Sequence, residues 1–337
     1  MRALVFTGPG HAEVQHVPPP VAADGHVVVE VDRAGVCGTD VELFTGEMSY
    51  LRSGVSTYPL RPGHEWAGVV TAVGDGVDDS WLGRRVTGDT MIGCGDCRQC
   101  RAGSHHVCQD RHELGVRGGL PGALAEQVAV PARALHHLPA SVDGQVGALV
   151  EPGGNALRAV RAAALASGDR LLVLGTGTIG LLTAMFARAQ GADVHLLGRD
   201  PGQLRLAATL GFAGRWTRAT LPGALWDAVI DATNAPEMPA MAVNLVEPGR
   251  RVVFIGLAST PSVVDSREIA FRDVTAVGIL GGSSGLGGAI EAYASGTVNP
   301  RPLVAATIGL GEVADALAGA RPEGAGPGPK IHVDPRR

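Results

Sequence analysis

LLVLGTGTIGLLTAMFARAQGADVHLLGRD, Leu171–Asp200, decides the fold. A short apolar run reads as a buried strand, a glycine turn follows, an alanine-rich segment reads as a helix, and a second strand closes the unit. Gly175, Gly177 and Gly180 form G-x-G-x-x-G at the strand-to-helix turn, with Thr178 and Ile179 inside the same motif. Glycine at these places lets backbone approach a pyrophosphate held at the helix N-terminus, so the unit reads as a dinucleotide-binding βαβ. WDAVIDAT (Trp226–Thr233) and RVVFIGLAS (Arg251–Ser259) continue the pattern as strands of a parallel sheet. Their carboxyl ends, Thr233 and Gly256–Leu257, are expected to line the nicotinamide side of the crevice.

Where an acidic residue would grip the ribose hydroxyls, the second strand ends in Gly198 and Arg199. Glycine makes room and arginine supplies positive charge, which suits a 2′-phosphate and favours NADP(H) over NAD(H). The alternative has Arg199 in solvent and Asp200 on the ribose.

Working outward, the chain has 337 residues, 45% of them hydrophobic, enough for two domains. The net charge of −5 and the lack of a basic run leave no surface for nucleic acid. No secretory leader and no membrane span is legible, so a cytoplasmic protein without a membrane partner is expected. Arginine so outnumbers lysine that Lys330 is the only lysine.

Four of the five cysteines, Cys94, Cys97, Cys100 and Cys108, fall as C-x2-C-x2-C-x7-C. That spacing lets one loop wrap four thiolates around a tetrahedral zinc, and with no open position such a metal is structural. Disulfides suit a reducing compartment poorly, and the usual iron–sulfur run has another final spacing and a following proline. The fifth cysteine, Cys37, stands in GVCGTD (Gly35–Asp40), with RPGHEWAG (Arg61–Gly68) downstream. Cys37, His64 and Glu65 are a thiolate, an imidazole and a carboxylate, donors that hold zinc while leaving a position open for substrate. Glu151, in LVEPGGNALRAV, is an alternative carboxylate ligand.

Residues before about 155 are rich in Gly, Pro and short valine runs, as in an irregular β-barrel. Beyond the nucleotide unit, EVADALAGA reads as a helix, RPEGAGPGP as a loop and KIHVDP as a closing strand.

GVCGTD, GHEWAG, the four cysteines, VEP, GTGTIG and KIHVDP, in this order along nearly the whole chain, resemble the zinc-containing medium-chain dehydrogenase/reductase family. The resemblance implies an α/β protein, with a GroES-like β-barrel catalytic domain (1–155 and 291–337, structural zinc lobe at 93–109) and a doubly wound Rossmann domain (156–290). It implies two zinc ions per chain, one held by Cys37 and His64 with Glu65 or Glu151. Asp40 would orient His64, Thr39 would pass the substrate proton outward, and Lys330 would lie near the cofactor pyrophosphate or simply be exposed. Where many relatives carry a proton-relay histidine, this chain has Glu42, so another carboxylate or water must serve. Asn234 replaces a common glycine, and Phe44 and Trp66 are candidates for the pocket wall or the core.

The implied reaction is hydride transfer between a nicotinamide cofactor and a secondary alcohol or ketone. The substrate would be a small polar molecule, a polyol, sugar or (amino)cyclitol. Alternatives are a simple or aromatic alcohol dehydrogenase or aldehyde reductase, and a zinc- and nucleotide-binding module without turnover. A homodimer or homotetramer is expected.

Overall fold

The structure, a computed structural model, describes residues 1–337. It divides into two compact units, Met1–Glu151 with Ala289–Arg337, and Pro152–Gly288.

The first unit is built on β-structure. β1 (Arg2–Gly8) and β2 (His11–His16) form a hairpin. β3 (His26–Gly35), β4 (Glu65–Val73), β5 (Arg85–Gly88), β8 (Gln127–Pro131), β9 (Leu135–His137), β16 (Val304–Ile308) and β17 (Lys330–Val333) make a seven-stranded sheet. Its order is β16-β17-β3-β4-β5-β9, with β8 on β3. Val27, Val29 and Val31 alternate along β3 and are fully buried with Leu4, Phe6, Leu43 and Trp66. Period-two spacing of β-branched residues thus gives β3 its core face. Between β5 and β8 two short strands, β6 (Met91–Ile92) and β7 (His112–Glu113), pair antiparallel and carry the four-cysteine loop between them. Two helices, α1 (Gly38–Thr45) and α2 (Ser49–Arg52), follow β3.

The second unit is a six-stranded, all-parallel sheet. β10 (Arg170–Leu174), β11 (Asp193–Leu197), β12 (Gly214–Trp216), β13 (Trp226–Asp231), β14 (Val246–Phe254) and β15 (Thr275–Gly278) lie in the order β12-β11-β10-β13-β14-β15. Numbered within the unit this is 3-2-1-4-5-6, the doubly wound Rossmann order with its switch point between β10 and β13. Leu172, Leu174, Trp226, Val229 and Val252 fill its core, and the near-continuous apolar strands fit a sheet covered on both faces.

The three glycines of the fingerprint have different physical jobs. Gly175 adopts φ +103°, in the region side chains avoid. A Cβ on Gly180 would lie 2.2 Å from the Gly175 carbonyl oxygen, so the helix Thr178–Ala189 packs against its own entry turn. Gly177 meets nothing within 4 Å and leaves its surroundings open. Replacing Gly180 with Ala is therefore expected to cost about 1–3 kcal/mol through forced displacement of the turn. Urea unfolding checks this, and Gly177→Ala, with no steric conflict, is expected to stay near native stability.

Candidate functional site

In the first unit, α1 begins immediately after Cys37, which is its N-cap. The Cys37 backbone N–H donates to Asp40 Oδ2 at 2.9 Å, fixing the loop that presents the sulfur. β4 begins at Glu65, so His64 and Glu65 enter the site at a strand start. Donor atoms of Cys37, His64 and Glu65 all lie within 4.8 Å of one another. His64 and Glu65 are 5% and 1% exposed, whereas Cys37 is partly open.

His64 Nδ1 faces Asp40 Oδ1 at 3.6 Å, too long for a hydrogen bond, and both atoms are buried without another partner. The ring is thus oriented by a carboxylate, with Nε2 left as the nitrogen available to a metal. Burial opposes the His64 cation, but the Asp40 charge, aided by Cys37, outweighs it and raises its pKa well above the ordinary value. An unlike donor set, a braced histidine and an orphaned buried carboxylate oxygen beside it fit a bound divalent cation better than a plain core.

The only lysine completes this neighbourhood, and here the structure corrects the sequence-based placement near a pyrophosphate. Lys330 is 3% exposed, and its ammonium donates to Glu65 Oε1 and Oε2 at 2.8 and 2.7 Å and to the Val36 carbonyl at 2.9 Å. All three protons are engaged, so none is left for a phosphate oxygen. Burial disfavours its charge, yet the Glu65 carboxylate holds its pKa above the ordinary lysine value. Gly35 makes the pair possible, because a Cβ there would lie 2.1 Å from Glu65 Oε2.

Glu151 is buried in the first turn of the helix Val150–Ala163, outside the three-donor cluster. Tyr293 was not legible as a site residue. Its hydroxyl donates to the Leu149 carbonyl at 3.2 Å, and burial together with the Glu65 charge pushes its pKa up. Thr39 is half-buried on α1 and Glu42 follows three residues on. Burial and then Glu47 raise the Glu42 pKa, against a smaller opposing effect of Arg52. Trp66 and Phe44 belong to the core.

The four sulfurs of Cys94, Cys97, Cys100 and Cys108 also lie within 4.8 Å of one another. Cys94 to Cys100 is 3.9 Å and Cys97 to Cys108 is 3.7 Å. Zn–S bonds of about 2.3 Å in a tetrahedron require sulfur separations near ~3.8 Å, so the loop is shaped for such an ion. Backbone N–H groups of Cys97 and Cys100 point at the sulfurs of Cys94 and Cys97, each at 3.4 Å. N–H donation of this kind lowers the Cys94 pKa to about 7.

In the second unit the helix Thr178–Ala189 has Gly177 as N-cap and no capping side chain, so its first N–H groups are unclaimed by a cap. Gly256 approaches Thr233 so closely that a Cβ would lie 1.8 Å from the Thr233 carbonyl oxygen, which joins the carboxyl ends of β13 and β14. Leu257 is 71% exposed. Gly198 is buried against Leu204. Asp200 Oδ1 accepts from the Gln203 N–H at 3.0 Å, capping a local turn, while the Arg199 side chain is exposed.

Comparison with known proteins agrees with this architecture. Residues 23–140 match the alcohol dehydrogenase GroES-like domain and residues 178–295 match the zinc-binding dehydrogenase domain. A 2-dehydro-3-deoxy-L-galactonate 5-dehydrogenase of Pseudoalteromonas atlantica is 31% identical over 310 residues, 87% of each chain. A putative zinc-binding dehydrogenase of Sinorhizobium meliloti 1021, solved with NADP, superposes with a TM-score of 0.89 at 29% identity over 99% of both chains. A structure from Escherichia coli CFT073 titled a short chain alcohol dehydrogenase, complexed with NADH, gives 0.90 at 26% identity, again over 99% of both chains. The chain belongs to the zinc-containing medium-chain dehydrogenase family and is an oxidoreductase of the alcohol dehydrogenase type.

Removing one partner of the Lys330–Glu65 pair strands a buried charge, which costs about 3–5 kcal/mol. Lys330→Met is therefore expected to lower unfolding free energy by that order, and the Lys330→Met/Glu65→Gln double variant to recover much of it. Denaturant titration of the three proteins checks the expectation.

Proposed function

We propose that the protein is a zinc-dependent dehydrogenase that passes a hydride between NADP(H) and a secondary alcohol or ketone of a polyol, sugar or (amino)cyclitol. The observation that carries this reading is the Cys37–His64–Glu65 cluster, three unlike donors within 4.8 Å of one another, of which the cysteine is partly open. We assign one zinc to that cluster and a second to the four-cysteine loop, with Glu151 as the exchangeable carboxylate. Bound at the first site, zinc supplies Lewis acidity toward the substrate oxygen.

The rest of the chemistry falls to the chain. Asp40 holds the His64 ring in one orientation, and the Lys330 ammonium holds the Glu65 carboxylate. Thr39 accepts the hydroxyl proton of the substrate and passes it toward Glu42, one helical turn further along the same face of α1. Burial raises the Glu42 pKa, which makes its carboxylate a better acceptor for the passed proton. Gly177 and the uncapped helix N-terminus receive the pyrophosphate, with Thr178, Ile179, Thr233, Gly256 and Leu257 along the rest of the cofactor.

For the cofactor, Arg199 is free to meet a 2′-phosphate while the Asp200 carboxylate is occupied by the turn, which supports NADP(H). For the substrate, the buried carboxylate of Glu151 lies in the same unit as the donor cluster, as recognition of several hydroxyl groups would use. The Pseudoalteromonas relative acts on a deoxy-sugar acid by its name. We read the protein as cytoplasmic; no helix is long and apolar enough to cross a membrane. We read it also as a homodimer or homotetramer, with the unpaired and exposed edge of β15 as a contact.

Initial rates with polyols, sugars, cyclitols and simple alcohols, each with NADP⁺ and NAD⁺, test the reading. Turnover on a polyhydroxylated alcohol is expected, with Cys37→Ser lowering kcat at least ~100-fold while the fold is kept. Arg199→Ala is expected to raise KM for NADP⁺ and leave that for NAD⁺ unchanged. Turnover confined to simple or aromatic alcohols would refute the substrate assignment, and equal use of both cofactors by the native protein would refute the role of Arg199.

A further inference from the structure

The segment between the four-cysteine loop and β8 carries a group of polar side chains that the reaction does not use. Glu113 on β7 is 4% exposed. Its Oε1 accepts from Arg111 Nε at 2.8 Å and from the Tyr50 hydroxyl at 2.9 Å, and Arg111 Nη2 donates to the same hydroxyl at 3.0 Å. Three polar groups thus close a triangle in a poorly hydrated place, where each bond leans on the other two.

Each corner of the triangle leads elsewhere. Arg111 Nη1 reaches the carbonyl of Cys108, one of the four clustered cysteines, at 3.3 Å. Tyr50 lies on α2, whose cap residue Met48 donates from its N–H to the Glu42 carbonyl on α1 at 3.1 Å, and α1 is capped by Cys37. Ser56, whose N–H donates to the Tyr50 carbonyl at 3.0 Å, donates through Oγ to the Val116 carbonyl at 2.7 Å, a second tie across the same seam. Next to Glu113, the Leu114 N–H donates to the Thr90 carbonyl at 3.0 Å, and Thr90 Oγ1 donates to the His64 carbonyl at 3.1 Å. Two short bonded routes therefore run from the four-cysteine loop, one to Cys37 and one to His64.

We propose that Tyr50, Arg111 and Glu113 form a latch coupling the two donor clusters, so that a divalent cation in the four-cysteine loop tightens metal binding at Cys37–His64–Glu65. The proposal rests on the reading above that both clusters hold zinc. The loop ion fixes Cys108, Cys108 fixes the Arg111 fork, and the fork with Glu113 holds Tyr50 and with it α2, which the Met48 N–H ties to α1. The three residues are positioning residues; none touches substrate or cofactor. Coupling of this kind is reciprocal, so occupation of the Cys37 cluster also tightens metal binding in the loop by the same factor.

Cobalt titration of the intact protein separates the sites, because a four-thiolate ion and a one-thiolate ion have different visible spectra. Tyr50→Phe removes a single oxygen and keeps the ring. It is expected to weaken cobalt at the one-sulfur site about tenfold, to leave the four-sulfur site within about twofold, and to raise KM more than it lowers kcat. Glu113→Gln, which keeps the shape, is expected to act in the same direction. Cys100→Ser, which disables the loop, is expected to weaken the one-sulfur site in the native background and to have little further effect on top of Tyr50→Phe. Unchanged cobalt affinity in both Tyr50→Phe and Glu113→Gln overturns the latch, as does an equal loss at the four-sulfur site measured while the one-sulfur site is empty. If Cys100→Ser fails to fold, those two variants still decide. A native protein that binds cobalt only in the loop overturns both the latch and the dehydrogenase reading. One that fills both sites and shows the coupling, yet turns over no alcohol, removes the dehydrogenase reading and keeps the latch.

Discussion

Lys330 and Glu65, both out of reach of water, meet over the gap that Gly35 leaves open. In the sheet, Gly35 stands between His332 on one side and Glu65 on the other. The last strand, the strand that ends at Gly35, two residues before Cys37, and the strand that begins with Glu65 are thereby locked in one register. A buried ion pair contributes little net stability, since desolvation consumes most of the attraction. What it does enforce is uniqueness. A slip of one residue in β17 would turn Lys330 to the other face and leave Glu65 charged and alone. The position of the carboxylate beside Cys37 and His64 follows from that constraint.

Much of the architecture was legible because its signals are local. A parallel nucleotide-binding unit was legible from apolar strands spaced by a helix and glycine turns within residues 171–259; β12 and β15, which complete the order, were not among them. The four cysteines sit in fifteen residues, so their convergence follows from the loop itself. Cys37 and His64 are farther apart, yet their segments adjoin paired strands, and pairing of β3 with β4 brings them together. Ligand chemistry suggested that they belong to one site, and the family resemblance implied the same.

What sequence did not carry is pairing at long range. Glu65 and Lys330 are 265 residues apart, and nothing in KIHVDP says that its lysine turns inward. The family resemblance suggested a pyrophosphate partner for Lys330; burial and three acceptors in its own unit give it another. Tyr50 and Glu113 are likewise 63 residues apart, and each alone looks like an ordinary surface residue. Glu151 stood level with Glu65 as a carboxylate in the sequence, and only the fold separates the one inside the three-donor cluster from the one outside it.

The placement of β17 also sets an order of events during synthesis. Residues Pro152–Gly288 form a contiguous unit and have all their sheet partners as soon as they leave the ribosome. The first 151 residues do not, because the Ala34–Gly35 end of β3 lacks its neighbour until Lys330–Val333 has been made. At ordinary translation rates of about 5–20 residues per second, the wait is roughly 10–35 s. Throughout it the free edge of β3 and the acid of Glu65 stand without their strand and their base. The nascent chain thus carries a finished half and an unfinished one, and its final four-residue strand closes the older of the two.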